Sequence, residues 1–176
     1  MTRVELARDI YKVSYLTGTF KLRSGAISNE YFDKYRFESK PILLREIARQ
    51  LIPLLPDDFD LLAGLEMGGI PLAVAISFET GKPAVFVRKK AKEYGTCRIS
   101  EGAEIEGKKL LVVEDVITSG GQVVLSSQEL RAFGAEIKNA VCVIDRESGG
   151  SKALSENGIE LKPLFTMSEI KALVSK

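Results

Sequence analysis

Leu110-Leu-Val-Val-Glu-Asp-Val-Ile-Thr-Ser-Gly-Gly-Gln-Val-Val124 decides how this chain folds. Leu110 to Val113 make an apolar run of the length and composition of a buried strand, and Glu114 and Asp115 stand at its C-terminal end. Thr118-Ser119-Gly120-Gly121 is a tight turn, and the residues after it have the spacing of an amphipathic helix. A strand–turn–helix of this kind points backbone N–H groups at an anion, and the helix dipole adds roughly half a positive charge at the same place. The two carboxylates suit hydroxyls or a metal ion. An anion cradle beside a carboxylate pair suits a sugar phosphate.

Working outward, the same punctuation repeats. On the N-terminal side, residues 61–64 form a short buried strand, and Leu65-Glu66-Met67-Gly68-Gly69-Ile70-Pro71 leads into a helix predicted over 71–80. Paired glycines there allow a ligand to approach the backbone closely, as they would in any tight strand-to-helix turn. A strand over 84–87 ends in Arg88-Lys89-Lys90-Ala91-Lys92-Glu93-Tyr94-Gly95-Thr96. Such a cationic run can be a solvated surface, but it leaves the end of a predicted parallel strand, where open α/β sheets bind ligands. The connection onward to Lys109 is about twenty residues without a helical pattern, a length typical of lids and binding loops. On the C-terminal side, a helix over 122–133 buries Val123, Leu130 and Phe133 and stops at Gly134. A strand over 140–144 follows and ends in Asp145-Arg146-Glu147-Ser148-Gly149-Gly150. Arg146 is placed for a bidentate contact to a carboxylate, or equally for an ion pair with Asp145 or Glu147. The remaining elements, over 151–157, 160–165 and 168–174, read as structural, with Gly158 ending the first and Thr166 with Glu169 forming a capping box.

At the N-terminus, Thr2 with Glu5 makes another capping box for a helix with apolar Val4, Ala7 and Ile10. Extended pieces over 19–22 and 31–35 flank a Ser-Gly-Ala-Ile-Ser-Asn turn, from which Arg23 can reach an anionic ligand or remain a solvated hairpin charge. Ser39 is expected to cap a helix with Pro41 in its first turn and Leu44, Ile47, Ala48 and Leu51 on one face. Strands alternating with helices predict a mostly parallel sheet covered on both faces.

Bulk composition excludes several classes. The 176 residues fit one domain with a full core, and 25 basic against 24 acidic residues leave a net charge of +1, without the basic excess of a nucleic-acid binder. There is no His, and two cysteines are too few for a zinc site; Cys142 falls in an apolar strand and Cys97 in the basic loop. No apolar run reaches 18 residues and no secretory leader is visible, which predicts a soluble, cytoplasmic protein with no membrane partner.

The 114–122 stretch lacks the Walker spacing and the dinucleotide fingerprint. It resembles the phosphoribosyl-diphosphate (PRPP) signature of the type I phosphoribosyltransferases, and the rest of the chain resembles orotate phosphoribosyltransferases of the short archaeal style. That resemblance is carried by Gly18-Thr-Phe-Lys-Leu-Arg-Ser-Gly25, Tyr31-Phe-Asp33, Gly68-Gly-Ile-Pro71, Val87 to Gly95 and Asp145-Arg146-Glu147, in order along nearly the whole chain. It implies an α/β fold with a mostly parallel central sheet flanked by helices. It also implies a single domain over 1–176, with a small N-terminal hood over 1–38 and a flexible catalytic lid over 88–107.

By the same resemblance, Glu114 and Asp115 hold the ribose hydroxyls and help organise Mg²⁺, which is carried mainly by PRPP and water. Val116, Ile117, Thr118, Ser119, Gly120, Gly121 and Gln122 wrap the 5′-phosphate. Arg88, Lys89, Lys92 and Tyr94 meet the diphosphate, with Lys92, Glu114 and Asp115 the catalytic set. Thr118, Arg146 and Arg23 contact orotate. A homodimer with lids shared across the interface is implied, and no nucleic-acid partner. Many relatives carry His where this chain has Tyr94, and a tyrosine titrating near 10 is a poor proton shuttle at neutral pH. Some bacterial relatives have a ligand-binding Lys in the Gly68-Gly69 turn. The alternatives are a phosphoribosyltransferase for another nucleobase and a PRPP-sensing regulator of the same fold.

Overall fold

The computed structural model describes residues 1–21, 25–90 and 99–174. In chain order these form α1 (Arg3–Ser14), β1 (Tyr15–Lys21), β2 (Ile27–Phe32), α2 (Tyr35–Glu38), α3 (Pro41–Leu51), a 3-10 turn (Ile52–Leu54), β3 (Leu61–Leu65) and α4 (Gly69–Thr80). They continue with β4 (Ala84–Val87), β5 (Ser100–Glu101), β6 (Lys109–Ile117), α5 (Gly121–Ala132), β7 (Glu136–Asp145), α6 (Gly150–Glu156), β8 (Glu160–Thr166) and α7 (Met167–Val174). Six strands make one sheet in the order β5-β4-β3-β6-β7-β8, parallel except for β5 at its edge. β1 and β2 form a separate antiparallel hairpin.

β6 sits at the centre because both of its faces are apolar. Leu111 and Val113 point into a core made with α1, α3, α4 and α7, including Leu6, Ile10, Ile47, Leu72 and Ile170. Leu110 and Val112 point the other way, into a core with Val123 and Leu130 of α5 and Leu154 of α6. The period-2 alternation of a strand thus sends every residue of the run into one core or the other, so a central parallel strand shows no polar face. At about 25 cal/mol per Å² of apolar surface, each such buried Leu or Val contributes on the order of 1.5–3 kcal/mol.

The N-terminal segment is pinned to this body. The Thr2–Glu5 capping box forms as expected, and Leu6, Ala7 and Ile10 enter the core. Arg3 ties α1 to the far end of the chain: it donates to the Leu164 carbonyl and the Glu169 carboxylate and lies 4.3 Å over the Phe165 ring. Glu169 is therefore used by Arg3, while its own N–H takes the Thr166 hydroxyl, so only half of that expected capping box forms.

Several expectations at element ends are corrected. Val4 lies at the edge of the α1 stripe and is exposed. The hairpin strands start earlier than expected, and Tyr35 belongs to α2. Ser39 does not cap α3; it closes α2, and Lys40 is the N-cap because a residue before proline is held extended. α4 begins two residues before Pro71. Phe133 is exposed because the backbone leaves the helix at that position, taking its side chain off the buried stripe.

Candidate active site

Because β4, β3, β6 and β7 are adjacent and parallel, their C-terminal ends lie along one edge of the sheet. That edge carries Arg88, Lys89 and Lys90, the Gly68-Gly69 turn, the Glu114-Asp115 pair and Arg146. The turns interlock closely. A Cβ on Gly68 would fall 1.6 Å from Asp115 Oδ2, so only glycine leaves room for that carboxylate. Glu66 reaches across to accept the Lys89 N–H at 3.1 Å.

One cavity, of about 400 Å³, lies over the turn between β6 and α5. Its floor is the Thr118–Gln122 backbone, and Glu114, Lys34 and Lys89 stand on its rim. Gly120, left-handed at φ 76°, ends the turn, and no side chain caps α5. The free N–H groups of the first helical turn therefore face the cavity as an anion cradle.

A second cavity, of about 640 Å³, lies between the hairpin and the ends of β6 and β7. Tyr11, Tyr15, Tyr31 and Phe32 give it flat walls, and Thr118, Arg146 and Lys171 give it polar ones. Tyr11 and Tyr15 stack with centroids 4.7 Å apart, and the Tyr15 hydroxyl donates to Glu30 in a short hydrogen bond. That bond, with the nearby negative charge, pushes the Tyr15 phenol up to about 12. Neither carboxylate beside Arg146 is paired with it. Asp145 Oδ1 accepts the Glu147 N–H at 2.8 Å, and Glu147 Oε2 accepts the Ser168 N–H at 2.8 Å. With its neighbours committed to backbone groups, Arg146 faces the cavity and suits a planar anion.

Between the cavities lies a cluster of buried charge. Asp115 is 0 % exposed; Lys34 Nζ lies 2.9 Å from its Oδ1 and 2.8 Å from its Oδ2, and the Val116 N–H reaches Oδ1 at 2.5 Å. Burial pushes the Glu38 carboxyl up to about 9, aided by a hydrogen bond to Asp115 and that residue's charge. Glu114 is likewise held well above the carboxylate range, by burial first and by Asp115 second. Burial also works against ionised Asp115, but hydrogen bonds from Glu114 and Glu38 and the Lys34 ammonium outweigh it and hold that group low. Lys34 mirrors this: burial pulls its pKa down, yet Asp115 raises it above the usual lysine value. The cluster thus pairs an Asp115 carboxylate held low and the Lys34 ammonium with two carboxyls, Glu38 and Glu114, whose ionisation burial opposes.

The structure brings together Glu114, Val116 through Gln122 and Lys89 around the first cavity, and Thr118 and Arg146 in the second. Arg88 is turned to Glu101, with 3.3 Å between Nε and Oε1. Arg23, Lys92, Tyr94 and Cys97 lie outside the described residues. Sequence reading missed Lys34, Glu38, Tyr11, Tyr15, Glu30 and Lys171. The Lys34–Asp115 pair spans 81 positions and has no local signature. Tyr11 in the last turn of α1 and Tyr15 at the start of β1 stack across the helix end, and two tyrosines four apart just before a strand were the available signal for that wall.

A profile of the phosphoribosyl transferase domain matches residues 37–156. An orotate phosphoribosyltransferase of Nocardioides sp. is 52 % identical over 167 residues, 95 % of this chain and 93 % of that protein. Among solved structures, orotate phosphoribosyltransferase of Mycobacterium tuberculosis H37Rv in complex with Fe(III) dicitrate superposes with a TM-score of 0.87 at 30 % identity, covering 96 % of this chain and 98 % of that one. The same enzyme in complex with 5-phospho-α-D-ribosyl 1-diphosphate gives a TM-score of 0.82 at 28 % identity with the same coverage.

Proposed function

This chain belongs to the phosphoribosyl transferase domain family, as an orotate phosphoribosyltransferase, and we propose that its two adjoining cavities divide the reaction between donor and acceptor. The reaction moves the 5-phosphoribosyl group of PRPP to orotate, giving orotidine 5′-monophosphate and diphosphate, a step in UMP biosynthesis. One observation carries the division: the anion cradle and the aromatic cavity share a wall, formed by Thr118, Val116 and Lys34. A donor held in the first presents its ribose C1 to a base held in the second.

The 5′-phosphate rests on the 116–122 turn, a reading supported by the uncapped start of α5. Glu114 and Asp115 accept the ribose hydroxyls. Arg88, Lys89, Lys92 and Tyr94 meet the diphosphate from the 88–107 lid, and Arg88 leaves Glu101 to do so. Orotate lies against Thr118 with its carboxylate on Arg146, and the resemblance adds Arg23 as a further contact from the hood over 1–38. Among the described residues no three acidic or sulfur side chains form a metal cage. Glu114, the acid that borders the anion cradle, would ionise beside a cation and so would help hold Mg²⁺, with phosphate oxygens and water as the main ligands. When bound, Mg²⁺ offsets charge on the leaving diphosphate.

A ring nitrogen of orotate forms the bond to C1 as the C1–oxygen bond breaks with its electron pair leaving on diphosphate, and the proton of the nitrogen passes to a diphosphate oxygen. The transition state is oxocarbenium-like, with negative charge growing on the leaving group. Lys92 and Arg88 stabilise that charge, so Tyr94 need not move a proton. Closure of the lid excludes water and protects PRPP from hydrolysis. PRPP is highly charged and orotate is an anion, which supports a cytoplasmic reaction, and in this reading the lid of one subunit serves its partner in a homodimer.

Loss of orotate absorbance on adding PRPP and Mg²⁺, run beside uracil, adenine, guanine and xanthine, tests this reading. Turnover with orotate alone is expected. Turnover of a purine without orotate would overturn the acceptor, and no turnover with any base would favour a PRPP sensor. Lys92→Ala should lower kcat by about 10²–10³ with little change in melting temperature, the size seen when one transition-state donor is lost.

A further inference from the structure

The two carboxylates that end β6 are not equally open. Glu114 borders the phosphate cavity, whereas Asp115 is fully buried, with Oδ1 hydrogen-bonded and Oδ2 held only by its ion pair with Lys34. The Lys34 ammonium hydrogen-bonds Oδ1 and lies 2.8 Å from Oδ2, the Val116 N–H donates to Oδ1, and Gly68 and the Glu38 carboxyl pack behind Oδ2. The Val116 amide is fixed in the strand, and Gly68 and Glu38 are behind Asp115 in the packed interior. Lys34 is the movable member: it follows the hairpin at the N-cap of α2, and its side chain is 33 % exposed. A ribose hydroxyl that reaches Asp115 has to take the place of the Lys34 ammonium.

Lys34 also has somewhere to go. Lys34, Val116 and Thr118 line both cavities, and among these three only Lys34 carries charge. An ammonium displaced from a buried carboxylate is stabilised by another anion close by, and the acceptor brings one into the second cavity. We propose that Lys34 couples the two substrates, covering Asp115 in the free enzyme and passing to the anionic acceptor when the donor's hydroxyls replace it. This rests on the orotate phosphoribosyltransferase reading and adds to it a residue that touches acceptor and holds the donor site closed until then. Because coupling between two ligands is reciprocal, each substrate tightens the other.

The test uses ribose 5-phosphate, which brings the hydroxyls and the phosphate but no leaving group, so that it cannot react with orotate. Calorimetry of each ligand with and without the other measures the coupling. In the wild type, orotate should tighten ribose 5-phosphate by about 5-fold or more, within the ordinary range of coupling energies. In Lys34→Met the coupling should shrink to within about 2-fold, while ribose 5-phosphate alone binds at least as well, since nothing has to be displaced. Lys34→Arg should restore the coupling, which mere damage to the fold would not allow. Unchanged coupling in Lys34→Met, or none in the wild type, overturns the proposal. If Lys34→Met does not fold, a wild-type structure with ribose 5-phosphate decides. Lys34 released from both Asp115 oxygens supports the proposal, and Lys34 still bonded to them overturns it. Wild-type protein that binds neither ligand would instead remove the functional reading itself.

Discussion

Glu38 is a neutral acid in the folded chain and an ordinary carboxylate in the unfolded one, and the difference has a sign. Its folded pKa is raised to about 9 from 4.5, so between those values the folded state holds a proton that the unfolded state has lost. Stability therefore falls as pH rises through that window, and Glu114 acts in the same direction. Asp115, held low, works the opposite way, but only at acid pH. Glu38→Gln keeps the shape of the acid and cannot ionise. It should melt with the wild type near pH 5 and above it near pH 8.5, by about 2–4 °C for each kcal/mol recovered in a domain of this size. Thermal melts at the two pH values check this; a variant less stable at both would show that the site needs the acid itself. Gly68 makes a harder demand, because a methyl group at 1.6 Å from Asp115 Oδ2 cannot be absorbed by a side chain already fixed on both sides. Gly68→Ala should cost about 1–3 kcal/mol or more in denaturant unfolding and abolish donor binding.

The turn between β6 and α5 is the element on which the fold and the donor site both depend. Gly120 meets two constraints at once: a left-handed backbone at φ 76°, and Leu154 Cδ1 only 2.6 Å from where a Cβ would lie. Gly120→Ala should shift the start of α5 and weaken ribose 5-phosphate by about 10-fold or more, the loss expected when one or two charge-assisted N–H contacts go. Calorimetry reads it directly. This element was also the most legible part of the sequence, since the apolar run, the acidic pair and the small-residue turn are all local. Arg146 was legible for the same reason, from its place at a strand end before glycines. The Lys34–Asp115–Glu38 cluster was not, because three elements far apart in sequence meet there, and a lysine after a hairpin reads as solvated surface. Helix ends slipped by one to three residues where backbone rules outweighed side-chain ones, as when the residue before Pro41 had to be extended and so displaced Ser39 as cap. The interior of the sheet needed only periodicity.

For the molecule as a whole, the proposed shared lid has a countable outcome. Lys92→Ala and Arg146→Ala damage opposite contributors to one site, the visiting lid and the resident acceptor cavity. Each variant alone should be nearly inactive. Dissociated and reassociated in equal amounts, half of the dimers are mixed, and each mixed dimer regains one intact site of two. About one quarter of wild-type turnover should return, by the symmetry of a two-fold dimer. No recovery, with mixed dimers verified by native mass spectrometry, would mean that each lid serves its own subunit. The aromatic wall of the acceptor cavity has an optical consequence. The chain contains no Trp and five Tyr, so its near-ultraviolet signal comes mainly from phenol rings. Two of those rings are stacked, one of them hydrogen-bonded to a carboxylate, and both line the cavity in which the base is expected. The protein thus carries its own unlabelled chromophore at the point of base recognition. Its tyrosine circular dichroism should report acceptor occupancy in real time and lose most of that response in Tyr15→Phe.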